Sequence, residues 1–241
     1  MDRQHHNIQA VTVNHNTSGY VELALRSLYK RHSNNLDLSI TIMDNASTDD
    51  VTSLFSYAKE RGILVRQSGF TTDTELNSHG EVLYQFVSDQ PDCNYYLFLD
   101  ADVCFLEDKT LDIMIAELEA TEDAFGIGAR QTWDGEEEIP QDIHQAIYYN
   151  RLHPCCALIK NTELFRRIAD EIRFTGVKYC WVEGEKYIDV LELMTKVMRT
   201  HGFRHIISSK MVYHFFSVSF DDRDMERKNQ IRNELLKSMI S

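Results

Sequence analysis

Three prolines in 241 residues, no internal repeat and no low-complexity stretch leave no sign of a linker, so one domain is expected over two. No apolar run approaches the length of a membrane span, and no signal peptide opens the chain. Basic residues are scarce: 25 Lys and Arg stand against 38 Asp and Glu, a formal net charge of -13. With no basic stripe to engage a phosphate backbone, nucleic acid is a poor partner. The five cysteines, Cys93, Cys104, Cys155, Cys156 and Cys180, form no CxxC pair and leave one over if bridged. They read as reduced thiols of a cytosolic protein.

Apolar residues, by contrast, make up 43% of the chain beside 26% charged, enough for a sizeable core. The most informative stretch is Tyr95-Tyr96-Leu97-Phe98-Leu99, closed by Asp100, Ala101 and Asp102. Apolar residues in an unbroken run between polar flanks predict a buried central strand. Carboxylates at the C-terminal end of such a strand lie where open α/β sheets take ligands. A pair of them suits a hard divalent cation, which in turn holds phosphate oxygens. An acidic protein with a phosphate-bearing ligand needs such an ion to offset repulsion. The plain alternative is a strand that ends in two solvated aspartates of ordinary turn chemistry.

Strand and helix patterns alternate through the first half. Ile8 to Val13 reads as a strand, Asn14 to Gly19 as a turn, and Val21, Leu25, Leu28 and Tyr29 recur at helical spacing. Leu36 to Met43 alternates as a second strand and ends at Asp44. A turn from Asn45 to Thr48 precedes a helix that carries Val51, Leu54, Phe55 and Ala58 and stops at Gly62. A third strand at Ile63 to Val65 and a helix at His79 to Val87 lead to the Tyr95 run, after which Val103 to Phe105 carries the chain away. This order predicts a parallel sheet with right-handed crossovers. Further on, helices are expected at Leu111 to Leu118, Thr162 to Ile172 and Val190 to Met198. Strands are expected at Phe125 to Ala129, Cys156 to Ile159, Phe203 to Ile207 and Met211 to Phe216, with an acidic loop at Arg130 to Asp142. The charged helix of the tail, from Asp222, is expected to pack on the body; dimerisation or contact with a membrane surface are its alternatives.

Four segments follow one another in a set order. Val13-Asn14-His15-Asn16, with Ser27-Leu28 eleven residues after Asn16, comes first. Asp44-Asn45-Ala46-Ser47-Thr48-Asp49, Phe98-Leu99-Asp100-Ala101-Asp102-Val103 and Val212-Tyr213-His214-Phe215 follow. The set resembles the family 2-type glycosyltransferases: their opening segment, their DNxSxD turn, their LDxDV metal segment and their late histidine. The resemblance implies a GT-A fold, a Rossmann-like α/β domain over about 1-220 with a mostly parallel central sheet flanked by helices. Its nucleotide-binding half covers about 1-106 and its acceptor-side half about 107-220, ahead of a C-terminal helix at 221-241. It also implies a nucleoside diphosphate sugar donor, transfer with inversion, and Mn²⁺ or Mg²⁺ as cofactor.

Each position then has a physical role to weigh. Asp44 can accept from a base edge or ribose hydroxyl and Asn14 can contact the base, though both residue types also build turns. Ser47, Thr48 and Asp49 read as helix caps. Asp102 is expected to ligate the metal directly, with Asp100 on the ribose or on metal-bound water and His214 as an added imidazole ligand that tilts the site toward Mn²⁺. A histidine between apolar neighbours is also a common core residue. His79 can donate to phosphate at a helix N-terminus, or simply cap it. Asp189, ahead of a late helix, is expected as general base; with Glu192 it also fits a capping box. Glu183, Glu185 and Glu192 are the substitutes. Trp133 and Trp181 are candidates to stack on a sugar, and Cys155 with Cys156 in His153-Pro154-Cys155-Cys156 reads as buried apolar.

Three other functions compete. A haloacid dehalogenase-type phosphatase would use Asp100 as nucleophile and Asp102 as acid/base, but Cys104 replaces the usual threonine and three strands precede the motif. Its later acidic cluster would have to be Asp221-Asp222-Arg223-Asp224. A pyrophosphorylase lacks its glycine-rich phosphate loop here, and a non-catalytic nucleotide-sugar-binding module is distinguished only by turnover. A peripheral membrane position is compatible with the cytoplasmic expectation.

Overall fold

The structure, a computed structural model, describes residues 6–32, 36–70, 78–132, 134–135, 139, 147–174, 190–219 and 224–240. The expectations on Trp133, Cys180, Trp181, Glu183, Glu185, Asp189 and Asp221 to Arg223 lie outside these residues. Among the described residues, one eight-stranded sheet runs in the order β3-β2-β1-β4-β7-β6-β8-β5. Its strands are β1 Asn7–Asn14, β2 Asp37–Asp44, β3 Leu64–Gln67, β4 Tyr95–Leu99, β5 Val103–Phe105, β6 Ala124–Gln131, β7 Cys156–Lys160 and β8 Arg204–His214. The helices are α1 Ser18–Arg31, α2 Thr52–Arg61, α3 Ser78–Asp89, α4 Thr110–Glu119, α5 Glu163–Ile172, α6 Glu192–Thr200 and α7 Met225–Ile240.

The unbroken apolar run of β4 has a simple cause. Side chains alternate across a strand, and both faces of this one are covered. Tyr95, Leu97 and Leu99 join a core layer with α1, α2 and α4, where Val21, Leu54 and Met114 sit. Tyr96 and Phe98 point the other way, into a layer with Leu83 of α3, Phe165 of α5 and Met194 of α6. Helix ends follow local chemistry: Thr162 Oγ1 accepts from the Phe165 N–H at 3.1 Å to cap α5. Gly62 closes α2 at φ 68°, a left-handed position that favours glycine.

The sheet is mostly parallel, as expected, and strands β1 to β4 of the first half pair with one another in parallel. β1–β2, β1–β4, β2–β3 and β6–β8 are parallel, whereas β4–β7, β6–β7 and β5–β8 are antiparallel. The two expected strands at Phe203 to Ile207 and Met211 to Phe216 are one long strand, β8, whose register against β6 shifts between Gly128 and Arg130. The intervening Ser208-Ser209-Lys210 reads as a break in sequence. It stays in the sheet because Glu117 of α4 accepts from the Ser209 N–H at 3.1 Å and Glu107 pairs with Lys210 at 2.8 Å. Val103 to Phe105, taken as an exit from the strand, is the short edge strand β5.

Sheet closure positions the site. In the strand order β5 stands four places from β4, about 19 Å on a flat sheet at ordinary strand spacing. The chain from Leu99 to Val103 spans at most ~14 Å. The sheet therefore curls, and the end of β8 swings round to the end of β4. His214 pairs with Val103 as a result, directly beside Asp102.

Candidate functional site

Three ligand atoms, from Asp100, Asp102 and His214, lie within 4.8 Å of one another. His214 Nε2 is 3.3 Å from Asp102 Oδ1, with the residues only 3% and 7% exposed. The Phe215 N–H fixes the Asp102 carbonyl at 3.0 Å, and the Val218 N–H supports its carboxylate. Burial alone would raise the Asp102 pKa; the facing His214 charge and hydrogen bond outweigh it and hold the acid below its usual range. His214 mirrors this: burial lowers its pKa, and the Asp102 carboxylate turns the balance upward. Asp100 is raised, first by burial, with His79 opposing and the Asp102 charge adding to the rise.

This donor set fits a hard divalent cation. Two carboxylates and an imidazole, with Nε2 and Oδ1 at 3.3 Å, match the ~3 Å between neighbouring ligands of a six-coordinate ion with bonds of about 2.1 Å. Two acidic groups enclosed beside each other also hold negative charge that only a cation or a proton relieves. His214 Nδ1 is buried with no hydrogen-bond partner among the described residues, so the ring's anchoring falls to its Nε2 side and to packing.

A second set of donors shares Asp100: a His153 ring nitrogen and the Cys155 sulfur lie within 4.8 Å of its carboxylate and of each other. It is the weaker of the two sets. The Cys155 N–H donates to His153 Nδ1 at 3.2 Å, which occupies that nitrogen's lone pair in the neutral ring. Burial pushes the Cys155 thiol well above its ordinary value, which opposes the thiolate a metal needs, and the His153 imidazole well below, which keeps the ring neutral.

At the other end of the same sheet edge, Asn14 and Asp44 close the paired strands β1 and β2. Asp44 is 5% exposed, its Oδ1 accepting from Asn14 Nδ2 at 3.0 Å and its Oδ2 from Gln67 Nε2 at 3.0 Å. Asn14 is fully buried; its amide also donates to Ser18 Oγ and Ser47 Oγ, and its Oδ1 accepts from Thr17. The side chain that sequence reading placed on the base is thus enclosed and occupied in holding Asp44. The cap reading of the turn is met in a different form. Asp49 accepts from the Ser18 N–H at 3.0 Å at the head of α1, while Asn16 Oδ1 takes the Thr48 N–H at 2.7 Å.

His79, in the first turn of α3, reaches Asp100 with Nε2 to Oδ1 at 3.8 Å. The structure thus gathers Asp100, Asp102, His214 and His79 at one end of the edge and Asn14 with Asp44 at the other. Sequence reasoning gave no role to Arg151, whose charge opposes that of Asp100. It gave none to Gln67 or Val218 either. Gln67 ends a short strand and Val218 acts through its backbone, so neither leaves a pattern in the sequence.

No protein-family model and no curated protein matches the chain. Solved structures do. The mannosyltransferase PcManGT from Pyrobaculum calidifontis, in complex with GDP-Man and Mn²⁺, aligns with a TM-score of 0.65 at 15% identity over 95% of this chain and 61% of its own. TarS 1-349 of S. aureus aligns at 0.60 and 15% identity, covering 95% and 70%. Glucosyl-3-phosphoglycerate synthase from Mycobacterium tuberculosis, in complex with Mn²⁺, UDP-Glc and phosphoglyceric acid, aligns at 0.54 and 13%, covering 98% and 79%. The chain thus spans about three fifths of the mannosyltransferase. Its fold is the GT-A fold of such nucleotide-sugar glycosyltransferases.

Proposed function

We propose that the chain is a metal-dependent inverting glycosyltransferase that moves a sugar from a nucleoside diphosphate sugar to an acceptor hydroxyl. The observation that carries this reading is the Asp100, Asp102 and His214 cluster on the same sheet edge as Asp44, within a GT-A fold. β2, β1 and β4 are successive parallel strands, so Asp44 and Asp100 stand about two strand spacings, ~10 Å, apart. That separation suits a nucleoside at one end and its diphosphate at the other. The GDP-Man and UDP-Glc complexes of the structural neighbours, both with Mn²⁺, support this donor class without choosing the base.

In this reading Asp44 accepts from the ribose or base while Asn14 and Gln67 keep its carboxylate still. Asp102 and His214 hold Mn²⁺ or Mg²⁺, and Asp100 contributes to the ion's water or to the ribose. The ion, when bound, takes up diphosphate charge as the sugar leaves. His79 donates to the phosphates from the first turn of α3. Asp189 takes the acceptor's proton, a role that rests on the sequence pattern. The GT-A fold supports this reading over the phosphatase alternative. No helix among the described residues is long and apolar enough to cross a membrane.

A thermal-shift panel of UDP, GDP and their sugars, with and without Mn²⁺, tests the proposal. A donor at about one hundred times its Kd stabilises by about 2.7 kcal/mol. Failure of every nucleotide to shift the transition in Mn²⁺ overturns the reading.

A further inference from the structure

The segment after His214 carries two consecutive non-glycine residues in the left-handed region, Phe216 at φ 50° and Ser217 at φ 62°. Side chains with a β-carbon rarely adopt that conformation, and two in a row persist only where the surroundings over-determine them. The segment is also where the cation site takes its support. The Phe215 N–H and Val218 N–H both bond to Asp102, and the Phe216 ring stands edge-on to the His214 imidazole, centroids 5.4 Å apart at 81°.

What pins this segment from outside is a lysine of the C-terminal helix. Lys228 is 7% exposed, an unusual burial for a lysine. Its Nζ donates to the Phe216 carbonyl at 2.7 Å and lies 3.4 Å from Asp134 Oδ1. The helix that carries it is itself tied down. Tyr20 OH donates to Asn229 Oδ1 at 3.1 Å, Lys30 Nζ to the Ser238 carbonyl at 2.8 Å, and Arg232 lies 5.0 Å over the Tyr20 ring. Its apolar side, with Ile231, Leu235 and Met239, packs on Tyr20, Leu23, Cys104 and Phe215.

We infer that Lys228 is a positioning residue for the cation site: by holding the Phe216 carbonyl it fixes the 215–218 segment that orients His214 and supports Asp102. The helix α7 is then part of the metal centre's scaffold. The charge of Lys228 is already engaged by Asp134 and a carbonyl, so its effect on the ion is through geometry. This inference rests on the metal reading proposed above, and its test separates the two.

The variants are Lys228→Met, which keeps the stem and removes the donor, and Asp134→Asn/Lys228→Met, which also removes the carboxylate left unpaired. Mn²⁺ alone is titrated calorimetrically, and the His214 imidazole signals are followed by NMR in metal-free protein. Loss of a group that orients a ligand should weaken Mn²⁺ about tenfold or more, with UDP binding in EDTA unchanged. The His214 signals should move in the absence of any ion. Lys228→Gln, a milder change whose shorter amide no longer reaches the Phe216 carbonyl as the ammonium does, should give the same two changes in smaller measure, and it decides the matter should both methionine variants fail to fold. Wild-type Mn²⁺ affinity together with unmoved His214 signals in a folded variant overturns the inference. A wild-type chain that binds no Mn²⁺ overturns the metal reading instead, and the His214 signals then decide the role of Lys228.

Discussion

His214 Nε2 lies 3.3 Å from Asp102 Oδ1, although one residue ends the eighth strand and the other follows the fourth. The contact exists only because the sheet curls, so it reports the integrity of the fold as well as the chemistry of the site. Asp102→Ala should abolish Mn²⁺-dependent nucleotide binding with the cooperative unfolding transition retained. His214→Ala should weaken the metal response and leave nucleoside binding intact. An Asp102→Ala protein with the wild-type Mn²⁺ response would show that the ion is held elsewhere. A covalent aspartyl-phosphate on Asp100 would return the phosphatase reading.

Asp44 gives a prediction of the opposite kind, independent of the ion. Its carboxylate is held by Asn14 and Gln67, each at 3.0 Å, at a distance from the cation cluster set by two strand spacings. Asp44→Ala should weaken a nucleoside and its diphosphate by similar factors. Loss of one charge-assisted hydrogen bond corresponds to roughly 1.5–3 kcal/mol. Calorimetric titration of uridine and guanosine against UDP and GDP checks this. Undiminished nucleoside binding would place Asp44 in the turn alone.

The parts of this architecture that the sequence displays are those whose cause is local. β4 is readable because five covered residues are all apolar, and α2 because Gly62 supplies its left-handed end. The DxD pair is readable because its carboxylates follow that strand at once. What was missed depends on partners far along the chain. β8 looks interrupted at Ser208 to Lys210 until Glu117 and Glu107 satisfy those residues from α4 and its approach. The antiparallel insertion of β7 between β4 and β6 leaves no periodic trace. Asn14 has a binding residue's chemistry, yet a buried network with Ser18, Ser47 and Thr17 surrounds it. The tail helix docks on the body as expected, but nothing in the sequence marks Lys228 as the charge that the docking buries.

The pH response of stability has a tractable component at His205. Its Nε2 faces the Tyr148 carbonyl at 2.8 Å, and Nδ1 is buried with no hydrogen-bond partner among the described residues. Burial, with the Arg199 charge adding and the Tyr148 bond opposing, holds its pKa below the ordinary value. Unfolded histidine titrates near ~6.5. Below that pH the unfolded chain takes a proton that the folded chain refuses, so this contribution is present above ~6.5 and is lost as pH falls through the folded pKa. Melting temperatures measured from pH 7.5 to 5.5 should therefore fall less steeply for His205→Gln than for the wild type. Parallel curves would rule out the assignment.

Two glycines of β6 should respond differently to the same change. A β-carbon on Gly126 would stand 2.7 Å from Leu152 Cδ2 and 3.2 Å from the Leu158 carbonyl oxygen, and the latter is fixed in the sheet. Gly126→Ala should destabilise by roughly 1–3 kcal/mol. On Gly128 the nearest atom would be Leu152 Cδ1 at 3.5 Å, an ordinary contact. Gly128→Ala should be neutral or slightly stabilising, since alanine loses less backbone freedom in a strand. Urea denaturation of the two variants checks the contrast, and equal losses would show that strand strain outweighs the local clash.

The general base is the last prediction. Inverting transfer needs a carboxylate to take the acceptor's proton as its hydroxyl attacks the anomeric carbon. Asp189 stands in the chain where such a base precedes a late helix. Its rival role was a cap paired with Glu192 in a capping box. The helix begins at Glu192, however, with Leu191 at its N-cap position in a left-handed conformation and no side-chain cap bond. Asp189 itself lies outside the described residues, and asparagine caps about as well as aspartate, so an exchange to asparagine separates the two roles. Asp189→Asn keeps size and hydrogen-bonding capacity but cannot accept a proton. It should leave melting temperature and nucleotide-sugar binding nearly unchanged while turnover falls by about a hundredfold or more. Near-normal turnover in Asp189→Asn would move the base to Glu183, Glu185 or Glu192, each testable by the same exchange to glutamine.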